Sequence, residues 1–215
     1  MTNTSRFIYS DEEGEYLVRL ARKSLTYYLQ NGSKLPVPED APEKLSQKSG
    51  VFVTLRVFSN KPRMDLRGCI GRPSPKQMLL KGTIDAAIDS GLNDWRFNEV
   101  TLSELDNIVF EVTALTPPEL ITGDKPQKIL DSIELGKDGL IIAMRNAPED
   151  QGGLFLPQVP IEWNMSKKQY LMELCGKAGL SSNMWKETQR TDLWKFQGEI
   201  FTEKEPNGDV ERIIL

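Results

Sequence analysis

The chain contains no histidine among its 215 residues and only two cysteines, Cys69 and Cys175. Without histidine, neither Ser-His-Asp nor Cys-His catalysis can be assembled from this chain alone, and the commonest metal ligand is missing. Two cysteines cannot complete a four-ligand Cys/His zinc site, and they do not form the disulfide scaffold of a small secreted protein. We therefore expect two reduced thiols, as in a cytoplasmic protein.

Long apolar runs and an excess of positive charge are also missing. No run approaches the roughly 20 apolar residues that span a bilayer, and residues 1–10 lack the apolar core of a signal peptide. The 27 basic and 31 acidic residues leave a net charge of −4, which disfavours nucleic acid as a partner because phosphate binding depends on clustered lysine and arginine. A local basic patch at Arg63, Arg67 and Arg72 stays open. We expect a cytoplasmic protein that does not bind a membrane.

Signatures of cofactor binding are absent as well. The sequence has no glycine-rich phosphate loop, no Rossmann fingerprint and no cluster of metal ligands, so it predicts neither a cofactor nor a metal. The composition, 39% hydrophobic and 27% charged, is that of an ordinary globular protein. A chain of this length is sufficient for one large domain or a two-lobed one.

Helix starts are predicted by capping boxes, in which a hydroxyl residue is followed three positions later by Glu or Gln. The pairs are Ser10 with Glu13, Thr101 with Glu104, and Ser166 with Gln169. The first helix should end at Asn31–Gly32 and the last at Gly179. A further helix is predicted with Ser74 as its N-cap, Pro75 at its first position and Gly91 at its end.

Alternating and β-branched patterns predict the strands. They cover residues 51–58, 64–71 and 108–116, two short stretches within 133–144, and residues 154–159 and 193–201. Helices and strands do not alternate regularly, which favours an α+β fold with a mainly antiparallel β-sheet flanked by helices. We expect a single domain over residues 1–215, in which residues 203–215 form a C-terminal tail.

The most informative segment is the hexapeptide Leu66–Gly71, with the sequence LRGCIG. Two-residue spacing on an extended strand places Arg67 and Cys69 on the same face. Gly68 and Gly71 remove side-chain bulk, so that another backbone or a ligand can approach closely. The hexapeptide is therefore either a tightly packed structural strand or the floor of a site.

Cys69 is the candidate catalytic residue. Cationic neighbours or a helix N-terminus would lower its pKa, and Arg67, Arg72 and the helix start at Ser74 would supply both. The same groups form a natural anion site, and a helix start that binds only water is the equally simple alternative. The alternative is an inert thiol, which is the role we expect for Cys175 in its apolar helical stripe.

Arg67 must be paired or face a solvated cleft, because an unpaired buried charge is costly. Asp94 and Glu162 are its candidate partners, and a structural ion pair and a ligand contact remain equally open. Gln158, on a proline-bounded strand, lies close in sequence to Glu162 and Trp163. These three residues belong either to the lid of a core or to the rim of a cleft, and we favour the rim.

The hexapeptide resembles the signature of the AMMECR family, named after the chromosomal region of Alport syndrome, midface hypoplasia and elliptocytosis. Further matches occur in family order and cover nearly the whole chain: Asp94–Phe97, Leu156–Val159, Glu162–Trp163, Lys177–Leu180 and Trp185. The chain departs from the family at one point, because Trp95 stands where the family usually has a proline between the aspartate and the arginine.

This resemblance implies an α+β fold of two unequal lobes, with the hexapeptide near a cleft between them. The family has no settled biochemical activity, so the resemblance leaves open whether the chain is an enzyme. In bacteria and archaea its members are associated with a Memo-like protein and a radical SAM enzyme. The resemblance therefore suggests a component of a modification system with these two proteins as partners.

Two functions are consistent with these features. The first is binding of a small anionic ligand or a partner segment in the interlobe cleft, with Cys69 as a contact or a latent nucleophile. The expected ligand-binding residues are Arg67, Gly68, Gly71, Arg72, Ser74, Asp94, Arg96, Gln158 and Glu162. The second is a non-catalytic protein–protein interaction module in which the hexapeptide is a structural core strand.

Overall fold

The computed structural model of the chain describes residues 8–61, 64–123, 125–146 and 152–214. Two compact units make up the fold: the first contains the chain up to Pro117 together with Glu199–Ile214, and the second contains Pro118–Gly198. Arg63, predicted to belong to a basic patch, lies outside the described residues. Helices and two antiparallel sheets are both present, which confirms the predicted α+β class.

The α-helices of the described residues are α1 (Asp11–Asn31), α2 (Leu79–Leu92), α3 (Pro126–Asp131), α4 (Val159–Glu162) and α5 (Lys167–Lys177). Short 3₁₀-helices cover Glu43–Ser46, Leu102–Asn107 and Met184–Lys186. The strands are β1 (Val51–Val57), β2 (Asp65–Arg72), β3 (Ile108–Leu115), β4 (Glu119–Leu120), β5 (Gly139–Met144), β6 (Gly153–Phe155), β7 (Thr191–Phe196), β8 (Gly198–Glu203) and β9 (Val210–Ile213). Among these helices, none combines the length and the apolar character needed to cross a membrane.

The first unit is built on a five-stranded sheet with the strand order β2-β1-β3-β8-β9. Helices α1 and α2 pack against each other and against this sheet. The predicted capping box of Ser10 and Glu13 opens α1, and Gly32, with a φ of +67°, ends it in the left-handed conformation that glycine adopts at little cost. The shared core includes Leu17, Leu25, Val53, Leu55, Ile84 and Phe110.

The second unit contains a four-stranded sheet with the order β4-β7-β5-β6. Helix α5 begins with the predicted capping box of Ser166 and Gln169 and packs on β5 and β6. Its apolar stripe joins a separate core that includes Leu140, Leu171, Leu174, Cys175 and Trp185. Cys175 is fully buried, as its predicted structural role requires.

The prediction that residues 203–215 form a tail is wrong. Glu203 is fully buried, and its carboxylate accepts hydrogen bonds from Arg22 at 2.7 and 2.5 Å and from the backbone N–H of Phe110 at 3.0 Å. Val210–Ile213 then adds β9 to the edge of the sheet. The charged composition of the segment suggested a solvated tail. Its buried carboxylate is instead neutralised by Arg22, a residue far away in the sequence.

Helix α2 begins at Leu79, four residues after the predicted start at Pro75. Met78 pairs with Lys48 in an isolated β-bridge, and the N–H of Leu79 donates to the carbonyl of Gln47 at 2.9 Å. These contacts keep the chain extended up to Met78. Ser74 therefore lies in a turn rather than at an N-cap, and it accepts through its carbonyl from the N–H of Lys76.

Three strand predictions also need correction. The predicted strand over residues 193–201 is two strands, β7 and β8, which belong to different sheets. Residues 133–144 contain only β5, because Asp138 closes a turn by accepting from the N–H of Glu134 at 2.9 Å. The predicted strand over residues 154–159 ends at Phe155, and Val159 starts α4 after donating its N–H to the carbonyl of Leu156.

Candidate functional site

The hexapeptide lies in the edge strand β2, and a β-bulge interrupts its pairing with β1. Leu55 pairs with Gly68, but the next residue, Arg56, pairs with Leu66, so Arg67 has no cross-strand partner. A bulge breaks the regular alternation of side chains along a strand. The predicted common face of Arg67 and Cys69 depended on that alternation, and the two side chains contact different neighbours.

Arg67 is held by an acceptor set within the first unit. Its Nε donates to the Glu104 carboxylate at 2.9 Å, and its Nη1 and Nη2 donate to the carbonyls of Asn98 and Glu99 at 2.9 and 3.3 Å. The ion-pair partner is thus Glu104 and not one of the predicted partners, Asp94 or Glu162. Burial disfavours the ionised Glu104, but hydrogen bonds from Arg67 and Thr101 outweigh it and lower the pKa of this carboxyl.

The two glycines of the hexapeptide accommodate other parts of the same unit. A Cβ on Gly68 would lie 2.0 Å from the carbonyl oxygen of Ser90, and a Cβ on Gly71 would lie 2.0 Å from the ring of Phe52. The Ser90 hydroxyl donates to the carbonyl of Val53 at 2.7 Å and accepts from the N–H of Ile70 at 2.9 Å. Helix α2 is therefore joined to the sheet through the space that Gly68 leaves.

Cys69 is a half-buried free cysteine, and its thiol accepts a hydrogen bond. The Thr54 hydroxyl donates to its Sγ at 3.2 Å. Burial raises the pKa of the Cys69 thiol, although the Thr54 hydrogen bond and the charge of Arg96 act in the opposite direction. Since the thiolate is the nucleophilic form, the net shift opposes the predicted role of Cys69 as a nucleophile.

Asp94 and Arg96 bind the backbone of Cys69 in the edge strand β2, which has β1 as its one neighbouring strand among the described residues. The Asp94 carboxylate accepts from the N–H of Cys69 at 2.8 Å, and Arg96 Nη2 donates to the carbonyl of Cys69 at 3.2 Å. The Arg96 guanidinium also donates to Asp94 at 2.8 and 2.6 Å. The hydrogen bonds from Arg96, with that from Cys69, outweigh the effect of burial and lower the pKa of Asp94 to about 2.

The loop that this ion pair fixes carries an exposed indole. Trp95 is 89% exposed, between the buried Asp94 and the partly exposed Arg96. A pocket of about 520 Å³ opens beside it, lined by Arg67, Trp95, Arg96, Phe97, Asn98 and Glu104. The structure therefore brings together the predicted residues Arg67 and Arg96 at this pocket, and Asp94 holds Arg96 in place.

Four residues of this pocket were not predicted as site residues. Phe97 lies under the Arg96 guanidinium, 5.5 Å from ring centroid to Cζ. Trp95 was noted only as a departure from the family pattern, and Glu104 only as part of a capping box. Asn98 contributes its carbonyl to Arg67 and carries no motif. The signal available in the sequence was the close spacing of aromatic and charged residues from Asp94 to Phe97.

The remaining predicted residues lie elsewhere. Arg72 is paired with Asp89 on α2. Ser74 lies in a turn before α2 and is not at a helix start, so the predicted anion site lacks the helix N-terminus on which it depended. Gln158 and Glu162 are exposed residues of the second unit, at the two ends of α4. Among the described residues, no group of three or more histidine, cysteine or carboxylate side chains is arranged to hold a metal ion.

Comparison with known proteins identifies the family. Residues 18–201 match the AMMECR1 family. The chain is 46% identical to Protein PH0010 of Pyrococcus horikoshii over 96% of this chain and 97% of that protein. It is 43% identical to Protein MJ0810 of Methanocaldococcus jannaschii over 93% of this chain and 94% of that protein.

A solved structure shares the fold as well. The crystal structure of uncharacterized protein PH0010 from Pyrococcus horikoshii superposes with a TM-score of 0.76 at 45% identity, and the match covers 97% of this chain and 100% of that one. The family that the hexapeptide predicted is thus confirmed by the matched family and by relatives along nearly the whole chain. The chain belongs to the AMMECR1 family.

Proposed function

We propose that this protein is a binding component that recognises an anionic group, carried by a small ligand or by a segment of a partner protein, at the pocket beside Trp95. The observation that carries the proposal is the exposure of the Trp95 indole next to the Arg96 guanidinium, on a loop held by the backbone of Cys69. Tryptophan and arginine are enriched among the residues that dominate binding energy at protein interfaces.

The hydrogen-bonding state of the two arginines supports an anionic ligand. Arg96 is 41% exposed at its side chain, and its Nη1 makes no hydrogen bond within the part of the chain that the structure describes. Arg67 is already oriented by Glu104 and two carbonyls, so its charge is fixed at the pocket wall. Because Asp94 and Glu104 neutralise much of this charge, recognition requires contact with Arg96 and with the Trp95 ring, and long-range attraction contributes little.

The hexapeptide has a supporting role in this proposal. Its glycines accommodate Ser90 and Phe52, its arginine is paired, and the raised pKa of Cys69 opposes covalent catalysis. These contacts favour the second function that the sequence left open, a non-catalytic interaction module with a structural hexapeptide. The two alternatives therefore combine: the strand is structural, and the loop that it holds makes the contact with the ligand.

The partners follow from the family resemblance. We propose a Memo-like protein and a radical SAM protein as the partners, in a modification system located in the cytosol. Both cysteines are free thiols, which is consistent with a reducing compartment. The proposal does not require catalysis by this chain, because the partners would supply the chemistry.

The test measures binding by variants of the exposed loop. Isothermal titration calorimetry would use inorganic phosphate, citrate, a hexaglutamate peptide, and the recombinant Memo-like and radical SAM proteins of the source organism. Trp95→Ala and Arg96→Lys should each weaken binding of the recognised probe by roughly tenfold or more. The matched controls are Trp163→Ala, at a residue 73% exposed in the second unit, and Arg19→Ala, at a side chain 38% exposed and paired with Glu15.

The proposal fails if no probe binds, or if Trp95→Ala and Arg96→Lys bind as tightly as the unsubstituted protein. Both variants must keep the melting temperature of the parent for this comparison. Trp95 is a surface residue, so its substitution should not affect folding. Arg96→Lys retains a positive charge near the buried Asp94.

A further inference from the structure

The chain leaves the first unit and returns to it at two neighbouring strands of the five-stranded sheet. It leaves after β3, at Pro117–Pro118, and it returns at Gly198–Glu199, where β8 begins. We call Leu115–Pro118 the outgoing connection and Gly198–Glu199 the returning connection. Strands β3 and β8 lie next to each other in the sheet, so one segment of the first unit can contact both connections.

The backbone of Ile8 and Tyr9 is bound to the returning connection through a buried carboxylate. The two carboxylate oxygens of Glu199 accept from the N–H groups of Ile8 and Tyr9 at 2.6 and 3.1 Å. Arg212 donates from Nη1 to the same carboxylate at 2.8 Å and from Nη2 to the carbonyl of Tyr9 at 2.6 Å. The charge of Glu199 is therefore paired, and the backbone of Tyr9 is held at both its N–H and its carbonyl.

The buried side chain of Tyr9 contacts the outgoing connection. Its hydroxyl oxygen lies 3.3 Å from the carbonyl oxygen of Leu115 and 3.4 Å from Ser49 Oγ, which are two acceptors for its single proton. Ser49 Oγ itself donates to the Leu115 carbonyl. Burial raises the pKa of Tyr9, so the phenol stays protonated and remains a donor. Tyr9 thus contacts one connection through its side chain and the other through its backbone.

Neighbouring residues fix the position of Ile8 and Tyr9 in the first unit. Lys44 Nζ donates to the carbonyl of Ile8 and lies 5.8 Å from the centroid of the Tyr9 ring, within the range of a cation–π contact. Ser10, which follows directly, is the N-cap of the long helix α1. The segment therefore enters a rigid helix at one end and is held by Lys44 at the other.

We infer that Ile8 and Tyr9 form a strap that couples the local opening of the two connections. Opening of either connection breaks hydrogen bonds to Tyr9 and leaves buried polar groups unpaired, which is costly. Groups that share one hydrogen-bond network are energetically coupled, so loosening of one connection also loosens the other. The strap is a conformational device of the first unit, and it is separate from the pocket beside Trp95.

Hydrogen exchange of the full-length protein, followed by mass spectrometry of its peptides, measures this local opening. Tyr9→Phe removes the hydroxyl near Leu115, and Glu199→Gln removes the charge that binds the strap backbone. Each variant should accelerate exchange by about fivefold in both residues 112–116 and residues 199–203, although each substitution alters contacts with only one connection. Residues 17–25 of α1 and 170–176 of α5 should exchange at the parent rate, because the effect is local.

A further variant keeps the test decisive if a substitution unfolds the protein more widely. If the reference peptides also exchange faster, Ser49→Ala replaces the variant concerned. It removes a donor to Leu115 and leaves Tyr9 and Glu199 unchanged, and it should accelerate exchange in residues 199–203 as well as in residues 112–116.

The matched controls change the same groups elsewhere in the first unit. They are Tyr16→Phe, at a partly exposed residue of α1, and Glu205→Gln, at an exposed residue between β8 and β9. Neither should alter exchange at the connections, and Trp95→Ala should also leave it unchanged, which separates this inference from the proposed function. The inference is overturned if either strap variant accelerates exchange only at the connection that it contacts directly, or at neither connection.

Discussion

Asp94 accepts a hydrogen bond from the backbone N–H of Cys69 at 2.8 Å, at the open edge of the five-stranded sheet. An unpaired strand edge is a template for pairing with another chain. Here a loop carboxylate occupies the edge, and Arg96, bound to that carboxylate, satisfies the Cys69 carbonyl. The hexapeptide and the loop that carries Trp95 are therefore one structural assembly, which explains why both contribute to the family pattern.

The Asp94 carboxylate should contribute measurably to the stability of the first unit. Asp94→Asn keeps the size of the side chain but removes the charge that Arg96 binds. We expect the free energy of unfolding to fall by about 1–3 kcal/mol, the range for hydrogen bonds to charged groups, as measured by urea denaturation. Asp65→Asn is the control, because Asp65 is exposed and its ion pair with Lys61 lies on the surface. An equal effect of the two substitutions would contradict this prediction.

The same carboxylate makes stability depend on pH in the acid range. The pKa of Asp94 is about 2 in the folded protein, below the value of about 3.9 for an unfolded aspartate. Its contribution is therefore complete above about pH 5 and is lost as the pH falls towards 2. The destabilisation caused by Asp94→Asn should be largest near pH 7 and shrink towards pH 2. Urea denaturation across this pH series measures it, and a constant difference would oppose the assignment.

Local elements could be predicted from the sequence because their determinants are close together in the chain. The capping box of Ser10 and Glu13 and the left-handed Gly32 both act within a few residues of the helix ends they define. The predictions were wrong where a partner distant in the sequence determines the local structure. Glu203 is buried because Arg22, 181 positions away, neutralises it, and no local pattern contains that information.

The candidate site was predictable in part for the same reason. Arg67, Asp94 and Arg96 were identified from charge and from the family pattern, and the structure brings them together. The bulge at Arg67 was not predictable, because it belongs to the pairing register of β1 with β2 and the residue pattern of β2 alone does not contain that register. Strict alternation therefore placed Arg67 beside Cys69, whereas the bulge and the acceptors at residues 98–104 direct it to the pocket that Trp95 lines.

The thiol of Cys69 should react slowly at neutral pH. Burial raises its pKa, so the thiolate fraction at pH 7 is lower than that of a free cysteine, whose pKa is about 8.5. Alkylation by iodoacetamide, followed by mass spectrometry from pH 6 to 10, should give an apparent pKa above that reference value. Cys175, fully buried in the second unit, should be labelled only after unfolding. An apparent pKa of Cys69 below the reference value would restore its candidacy as a nucleophile.

The Thr54 hydroxyl provides a check on the cause of this shift. It donates to the Cys69 sulfur and so favours the thiolate. Thr54→Val should raise the apparent pKa of Cys69 further, and the alkylation rate at pH 8 should fall. An unchanged rate with an unchanged melting temperature would show that the hydrogen bond has no effect on the thiol.

The two glycines of the hexapeptide should differ in their tolerance of a methyl group. In Gly68→Ala the new Cβ would meet the backbone carbonyl of Ser90 at 2.0 Å, and helix α2 would have to shift to accommodate it. In Gly71→Ala the Cβ would meet the ring of Phe52, a side chain that can rotate. We therefore expect Gly68→Ala to lower the free energy of unfolding by about 3 kcal/mol or more, and Gly71→Ala by about 1–2 kcal/mol.

Two further variants make this comparison specific. Gly176→Ala is the control, because a Cβ at this helical position meets no described atom within 4 Å outside the backbone of its own helix, and it should be neutral or stabilising by up to about 1 kcal/mol. The double variant Phe52→Ala/Gly71→Ala should lose less free energy of unfolding than the sum of the losses in the two single variants, because removal of the Phe52 ring removes the clash. Urea denaturation measures these four variants, the single variant Phe52→Ala and the parent protein. If Gly68→Ala were as stable as Gly176→Ala, the close packing of Ser90 on the hexapeptide could not be the reason for a glycine at this position.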